Sequence, residues 1–260
     1  MRLLFPSHPL HSQQPDDSYL EEFTAFRQVG VSCSVVDTDA LGNGLCDVRP
    51  AIGVGEPVLY RGWMLAPERY RQLTQLIEEA GGRPVTSFEN YLRCHHLPGW
   101  YESCQAYTSE TRFFSDDDQL LDAAARLEWE SFFVKDFVKS NSTGQGSIAH
   151  SPEEVVEIVS QIRAHRGFME GGVALRRVEE YDSASEQRYF VLNGVAYSSH
   201  GEPPTLCREI AQYIDAPFYS IDLALRQDGV MRLVEIGDGQ VSDRKNWPLD
   251  VFVKMLAHNA

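Results

Sequence analysis

Two acidic residues stand inside apolar runs near the end of the chain, where a charged side chain needs a chemical reason. Asp222 lies in FYSIDLALRQ and Glu235 in VMRLVEIG, and Asp228-Gly229 between them is a typical hairpin turn. We expect two antiparallel strands that bring the acids close together. Their carboxylates would suit magnesium, which also accepts phosphate oxygens. The alternative is that both acids lie at strand edges or pair with arginines, and the hairpin alone leaves both interpretations open.

A lysine inside another apolar run precedes a polar loop that contains glycines. Lys135 lies in SFFVKDFV, and the segment KSNSTGQGS follows it. A lysine that points into a site neutralises phosphate charge, and glycines let backbone N–H groups approach phosphate oxygens. The loop lacks the spacing of a P-loop. Taken alone, a lysine whose charged end reaches solvent before a surface loop is the more common arrangement.

Three arginines lie on adjoining strand patterns in VALRRVEEYDSASEQRYFVLNG. The planar fork of an arginine holds a carboxylate or an acyl phosphate well. Arg176 and Arg177 are adjacent and point to opposite faces of a strand, so at most one of them serves the same site as Arg188. The alternative is an exposed, ion-paired sheet face, formed with the neighbouring glutamates Glu179, Glu180 and Glu186.

The composition excludes several classes of protein. The net charge of -15 argues against a surface that binds nucleic-acid backbones. No apolar stretch is long enough for a signal peptide or a membrane span. Five scattered cysteines without a C-x-x-C pair predict reduced thiols in a cytoplasmic protein. Four possible zinc ligands lie close together in the sequence: Cys94, His95, His96 and Cys104. Their spacing matches no standard zinc pattern, so we interpret the two histidines as packed or cleft-lining residues.

The elements that must position these residues form an α/β pattern. The first third alternates apolar runs with amphipathic helical segments, which predicts a small parallel sheet with helices on its faces. The segment SFENYLRCHHLPGWYESC (87–104) predicts two short helices, and DDDQLLDAAARLEW predicts another. The second half predicts a strand with Lys135, a loop, a helix capped by Ser151, further strands and a closing helix. We expect a domain boundary between residues 107 and 108.

The order of these elements resembles the ATP-grasp superfamily over residues 108–260. VKDFVKSNSTGQGS resembles its lysine strand and phosphate-covering loop, and SIDLAL and LVEIGDGQVS resemble its two metal-binding strands. More narrowly, LRRVEEY, EQRYFVLNG and VEIGDGQVS look like the branch named for characteristic arginines and a lysine, as do YRGWML and HHLPGWY. The resemblance implies an α/β (α+β) fold, with an ATP-grasp body after a small α/β domain at residues 1–107.

The resemblance also implies roles for individual residues. Lys135 would contact the α- and β-phosphates of ATP, and Asp222 and Glu235 would bind magnesium. Arg188 and one of Arg176 and Arg177 would lie over the transferred phosphoryl group or the acyl acceptor. The segment Leu175–Tyr181 would run past the adenine, with Glu179 or Glu180 near the ribose. Further nucleotide-binding residues come from the loop over residues 140–147 and its flank: Lys139, Ser142, Thr143, Gly144 and Gly146.

One departure from the family pattern affects the metal ligands. The usual E-x-N element is Glu235-Ile236-Gly237 in this chain, without the asparagine. Asp238 is a candidate replacement and would place more negative charge around the metal.

The function implied is ATP- and magnesium-dependent ligation. The substrate would be a small-molecule or peptide carboxylate, activated as an acyl phosphate and captured by an amine or a thiol. A phosphotransferase on the same scaffold and a non-catalytic ATP-binding module remain alternatives. The sequence does not indicate the oligomeric state.

Overall fold

The computed structural model describes residues 1–42, 46–115, 119–138, 147–166 and 169–258. The fold is mixed α/β with three sheets, which confirms the predicted fold class. No helix in these ranges is long and apolar enough to cross a membrane.

The first sheet has a parallel centre, as the sequence predicted. Its strands are β1 (Arg2–His8), β2 (His11–Pro15), β3 (Ser32–Val36), β4 (Val48–Arg49), β5 (Pro57–Tyr60) and β6 (Arg83–Pro84). β1 pairs in parallel with β3 and β5, and β5 pairs in parallel with β6. Helices α1 (Leu20–Gln28) and α2 (Pro67–Glu79) connect them; α2 begins at a proline, which needs no hydrogen-bond acceptor there. The apolar run VLYRGWML predicts a strand over residues 58–65, but β5 ends at Tyr60.

Two short helices lead from the first sheet, as predicted. They are α3 (Phe88–His95) and α4 (Leu97–Cys104), and Ser87 caps α3 by accepting a hydrogen bond from the backbone of Asn90. Trp100 on α4 is buried among residues of the later strands, including Ile221 and Ile236. A second shared core joins β1 to the end of the chain. Both cores contain residues from before and after the domain boundary predicted at residue 107, and the boundary stays a prediction.

The second sheet carries the predicted lysine strand. It comprises β7 (Thr111–Phe114), β8 (Phe132–Asp136), β9 (Ile148–Ala149) and β10 (Val173–Arg177), all antiparallel, in the order β7-β10-β8-β9. Helices α5 (Leu120–Ala125) and α6 (Pro152–Arg166) pack on one face. Ser151 accepts a hydrogen bond from the backbone of Glu154 at 3.2 Å, which confirms the predicted cap.

The third sheet carries the two predicted acids. Its antiparallel strands are β11 (Tyr181–Leu192), β12 (Val195–Tyr197), β13 (Phe218–Arg226) and β14 (Met231–Asp238), in the order β12-β11-β13-β14. The turn between β13 and β14 contains Gly229 at φ +81°, a left-handed conformation that glycine adopts without strain. Helix α7 (Thr205–Ile210), which the sequence did not predict, and helix α8 (Leu249–Ala257) complete the fold.

A β-bulge in β14 decides which way Glu235 faces. Asp222 pairs with Glu235, but the next residue of β13, Leu223, pairs with Leu233, so Val234 is an extra residue in β14. Strict alternation from the buried Leu233 would place Glu235 on the same face, inside the hydrophobic core. The bulge instead turns Glu235 to the opposite face, toward the second sheet.

A buried arginine joins the first sheet to the segment after β14. Arg61, 1% exposed, donates to the Glu22 carboxylate of α1 at 2.7 and 3.0 Å. Its Nη1 also donates to the carbonyl oxygens of Gly239, Gln240 and Ser242. The guanidinium therefore positions the chain that follows the acid-bearing strand.

We expect Arg61→Ala to lower the free energy of unfolding by about 3–5 kcal/mol, because it leaves buried acceptors without their donor. Urea denaturation of the full chain measures this change. Arg49→Ala is the matched control: Arg49 is half exposed and pairs with Asp47 at the surface, so its loss should cost less than about 1 kcal/mol. Equal losses in the two variants would contradict the structural role of Arg61.

Candidate active site

A cavity of about 840 Å³ is lined by residues of the second and third sheets and of the segments near them. This volume is within the range of ligand-binding pockets. Among the described residues, its charged lining consists of four basic and four acidic side chains: Lys135, Arg176, Arg188, Lys245, Glu186, Asp222, Glu235 and Asp243. The uncharged lining includes Tyr19, Trp63 and Met64, which precede the second sheet in the chain.

Three charged residues lie in register on adjacent strands of the third sheet. Arg188 on β11 pairs with Asp222 on β13, which pairs with Glu235 on β14. The Arg188 guanidinium binds both Asp222 oxygens, with Nε to Oδ1 at 2.8 Å and Nη2 to Oδ2 at 2.6 Å. Burial acts to lower the pKa of Arg188, but the hydrogen bonds and charge of Asp222 outweigh it and raise the pKa. Arg188 therefore remains a cation.

Lys135 reaches this row from the second sheet. Its Nζ donates to Oε1 of Glu235 at 2.6 Å, although the two residues are 100 positions apart in the chain. The Lys135 side chain is 4% exposed and that of Glu235 is 15% exposed. The structure thus brings Lys135, from the middle of the chain, and the two acids near its end to the wall of one cavity.

Arg176 lies on the same face of the second sheet as Lys135. Ala174 pairs with Lys135 and Arg176 pairs with Phe133, so both cations face the cavity. Arg176 donates to the Val234 carbonyl at 2.9 Å and to Oγ1 of Thr108 at 2.7 Å. Its buried Nε has no hydrogen-bond partner among the described residues. Burial lowers the pKa of this guanidinium.

The segment after β14 supplies a second set of charges. Arg188 Nη1 donates to the backbone carbonyl of Asp243 at 2.9 Å and also to its carboxylate. Lys245 Nζ donates to Oδ2 of Asp222 at 3.2 Å and to the carboxylate of Glu186. Each acid of the cavity therefore contacts at least one cation.

This arrangement fits a polyphosphate with a magnesium ion. An arriving phosphate offers Lys135 and the arginines new anionic partners, and a magnesium ion offers Asp222 and Glu235 a new cation. The charges of the cavity can therefore exchange partners without leaving a buried charge uncompensated. The unpaired Nε of Arg176 provides a further donor for the same ligand.

The family model of the ATP-grasp domain, R2K clade family 3, matches residues 126–256. The chain belongs to this R2K family of ATP-grasp domains. The resemblance recognised in the sequence is thereby confirmed. No curated protein sequence matches the chain.

Solved ATP-grasp structures share the fold over the full chain. D-cycloserine synthetase DcsG superposes with a TM-score of 0.66 at 18% identity, covering 100% of this chain and 99% of that one. D-alanyl-alanine synthetase A from Vibrio cholerae O1 biovar eltor has a TM-score of 0.61 at 16% identity, covering 100% and 94%. The ATP-grasp ligase PsnB, complexed with minimal precursor, Mg and ADP, has a TM-score of 0.61 at 12% identity, covering 99% and 96%.

Within this ATP-grasp domain, the structure separates the predicted site residues into two groups. Lys135, Arg176, Arg188, Asp222 and Glu235 line the cavity. The other described candidates do not: Arg177 and Glu180 are exposed, and Glu179 binds Arg232 and Tyr181 instead. The remaining candidates lie outside the described residues: Lys139, Ser142, Thr143, Gly144 and Gly146.

Asp238 requires a correction, because the structure places it away from the other two acids. Beyond the bulge, alternation puts Asp238 on the same face as Ile236 and opposite to Glu235. It is 1% exposed, and its Oδ1 accepts hydrogen bonds from the backbone and side chain of Gln240. Burial raises the pKa of the nearby Tyr70 hydroxyl, and the proximity of Asp238 adds to this shift. Asp238 therefore does not join Asp222 and Glu235 as a third metal ligand.

Sequence reasoning missed three charged residues of the cavity, namely Glu186, Asp243 and Lys245. Asp243 and Lys245 belong to SDRK, a charged run directly after the acid-bearing strand, and that position was the available signal. The position of Glu186 in the sequence indicates only an ion-pair partner for the neighbouring arginines. In the structure it instead binds Lys245, which the strand pattern does not reveal.

We expect the free energy of unfolding of Asp238→Asn to increase relative to that of the wild type as the pH rises from 4 to 8. Burial raises the pKa of Asp238 from 3.8 to about 7, with hydrogen bonds from Gln240 opposing the shift. Between about pH 4 and pH 7 the folded chain keeps a proton that the unfolded chain has lost, so the free energy of unfolding of the wild type falls across this range and levels off above pH 7. The asparagine does not ionise, so it should gain up to about 4 kcal/mol relative to the wild type. Urea denaturation at several pH values measures this, and a pH-independent difference would contradict it.

Proposed function

We propose that this chain is an ATP- and magnesium-dependent ligase that joins a carboxylate to an amine through an acyl phosphate. The observation that carries the proposal is the contact of Lys135 with Glu235, in register with Asp222 and Arg188 on one cavity wall. Family membership and shared fold support ATP-dependent ligation, and the charged residues of this chain supply the finer assignment.

In this proposal the cations of the cavity bind the triphosphate and two of its carboxylates bind the metal. Lys135 releases Glu235 and binds phosphate oxygens, since a primary ammonium is a compact charge suited to them. Asp222 and Glu235 would hold magnesium, which would neutralise phosphate charge. Asp222 is also held by Arg188 and Lys245, and these two cations would be free to turn toward the substrate once Asp222 served as a metal ligand.

The two arginines of the cavity stabilise the reacting groups. A substrate carboxylate oxygen bonds to the γ-phosphorus while the bond to the leaving ADP oxygen breaks. Arg188 and Arg176 donate hydrogen bonds to the oxygens on which negative charge increases. An amine then attacks the acyl carbon, phosphate leaves, and the amine loses a proton, which gives the amide. Carboxylates are available in the cavity wall to receive that proton, and Asp243 and Glu186 are the two not assigned to magnesium.

The acceptor enters, in this proposal, from the side of the first sheet. Trp63 lines the cavity while 49% exposed, and its ring packs edge-on against Tyr19 at 5.1 Å. Such an aromatic pair contacts a small or peptidic substrate at the cavity mouth. The PsnB structure contains a minimal precursor. The substrate class proposed for this chain is a small-molecule or peptide carboxylate.

Product analysis tests the proposal. The purified chain is incubated with ATP, magnesium, a panel of carboxylates and a panel of amines, and ADP, phosphate and amide are measured by mass spectrometry. Hydroxylamine added in place of the amine should yield the hydroxamate of the activated carboxylate. A stable phosphate ester as the end product would establish a phosphotransferase. ATP binding without ADP formation on any acceptor would establish a non-catalytic module.

We expect Glu235→Gln to lower magnesium-dependent turnover by about 100-fold or more, because it removes one anionic metal ligand and frees Lys135 from its partner. The rate of ADP formation at several magnesium concentrations measures this effect. Asp238→Asn is the matched control, since Asp238 lies three residues away on the opposite face and should leave turnover close to that of the wild type. A reversed pattern would assign the metal to Asp238 instead.

A further inference from the structure

Two histidines and a glutamate from separate parts of the chain converge outside the cavity described above. His95 ends α3, His96 joins α3 to α4, and Glu170 precedes β10. Nε2 of His96 lies 2.9 Å from Oε1 of Glu170, and Nε2 of His95 lies 3.6 Å from the same oxygen. One ligand atom from each residue lies within 4.8 Å of the other two. The two imidazoles therefore present nitrogen atoms to one point.

Packing holds the three side chains in this arrangement. The His95 ring stacks on Tyr91 at 4.7 Å, and Tyr91 stacks on Tyr70 at 3.8 Å. The backbone of His96 pairs with Val138, just beyond β8. The Glu170 carbonyl accepts a hydrogen bond from Phe137 at 3.2 Å, which ties Glu170 to the same strand end. Ligands on rigid, packed elements keep their geometry when an ion enters.

The cluster is open to solvent on one side. The side chains of His96 and Glu170 are 20% and 18% exposed, so an ion can reach them, whereas His95 closes the inner side at 2%.

We propose that His95, His96 and Glu170 form a binding site for one divalent transition-metal ion of the zinc class. At zinc bond lengths of about 2.0–2.1 Å, ligand atoms around a tetrahedral ion are separated by about 3.3 Å. The distances from Glu170 Oε1 to Nε2 of His96 and of His95, 2.9 and 3.6 Å, lie on either side of that value. Three protein ligands leave a fourth position for water or a solute ligand.

The ligand chemistry selects the kind of ion. Two imidazole nitrogens and one carboxylate suit zinc, cobalt or nickel, whereas magnesium and calcium prefer oxygen ligands alone. The neighbouring thiols take no part, because Cys94 and Cys104 are fully buried in the core beneath α3 and α4. The site is therefore chemically distinct from the proposed magnesium site, which consists of carboxylates.

A bound ion would connect the corner between α3 and α4 to the end of the lysine strand. Val138, which pairs with His96, lies three residues beyond Lys135 on the same stretch of chain. An ion held by His95, His96 and Glu170 would thus fix the end of β8 relative to the preceding helices. This stabilising role requires no nucleotide and does not depend on the proposed ligase activity.

Zinc uptake by the full chain without nucleotide tests this inference. After treatment with a chelator, titration with zinc in excess magnesium should show one tight equivalent by calorimetry. His96→Ala and Glu170→Gln should each lower the affinity for zinc by about 100-fold or more, since each removes a direct ligand. The matched control is the double variant His8→Ala/His11→Ala, which removes another pair of histidines whose rings stack on each other. Failure to bind zinc, or binding lost in the control and kept in the two site variants, would overturn the proposal.

Cobalt substitution of the wild-type chain provides a readout that depends on no variant. The visible spectrum should show the d–d bands of four-coordinate cobalt with nitrogen and oxygen ligands, and no thiolate-to-metal charge-transfer band. A thiolate band would place the ion on a cysteine and overturn the assignment. Because these measurements require no catalysis, their failure is distinguishable from failure of the proposed ligase function.

Discussion

The site depends on the compensation of charges, of which those of Lys135, Arg188 and Asp222 are almost completely removed from water. A single unpaired ion in such a wall costs several kcal/mol, so each charge must have a partner in the folded chain. Arg188 satisfies Asp222 with two hydrogen bonds, and Lys135 satisfies Glu235 from the facing sheet. The same pairs are available for exchange with a phosphate and a metal ion. Compensation thus stabilises the ligand-free fold and prepares the cavity for an ionic ligand.

The two sheets can face each other in this way because the hydrophobic cores are shared along the chain. Trp100 from the first half packs beneath β13 and β14, and Phe252 from the last helix packs against Phe26 of α1. Arg61 binds both Glu22 and the carbonyls after β14, which places Asp243 beside Arg188. The cavity wall is therefore a product of contacts between the two ends of the sequence. A substitution that weakens these contacts would displace the charged residues of the cavity, even where those residues themselves are not substituted.

The fold and the central site residues were accessible from sequence because they produce local signals. Apolar periodicity, caps and the Asp228-Gly229 turn predicted most elements, and charges inside apolar runs singled out Lys135, Asp222 and Glu235. Strand alternation also predicted that only one of Arg176 and Arg177 could face the site, and the structure shows that it is Arg176. The short helix α7 and the early end of β5 escaped prediction, since both depend on contacts distant in sequence.

The sequence by itself determined most of the element order, the family and the identity of the central charged residues, because these follow from short-range patterns of side chains. Only the tertiary structure decided which charges meet. The bulge at Val234 reverses the face of Glu235, and renewed alternation carries Asp238 into the core, although the two acids are three residues apart. Asp243 and Lys245 joined the site for the same reason. Pairing register and long-range burial are properties of the folded chain, and no local pattern encodes them.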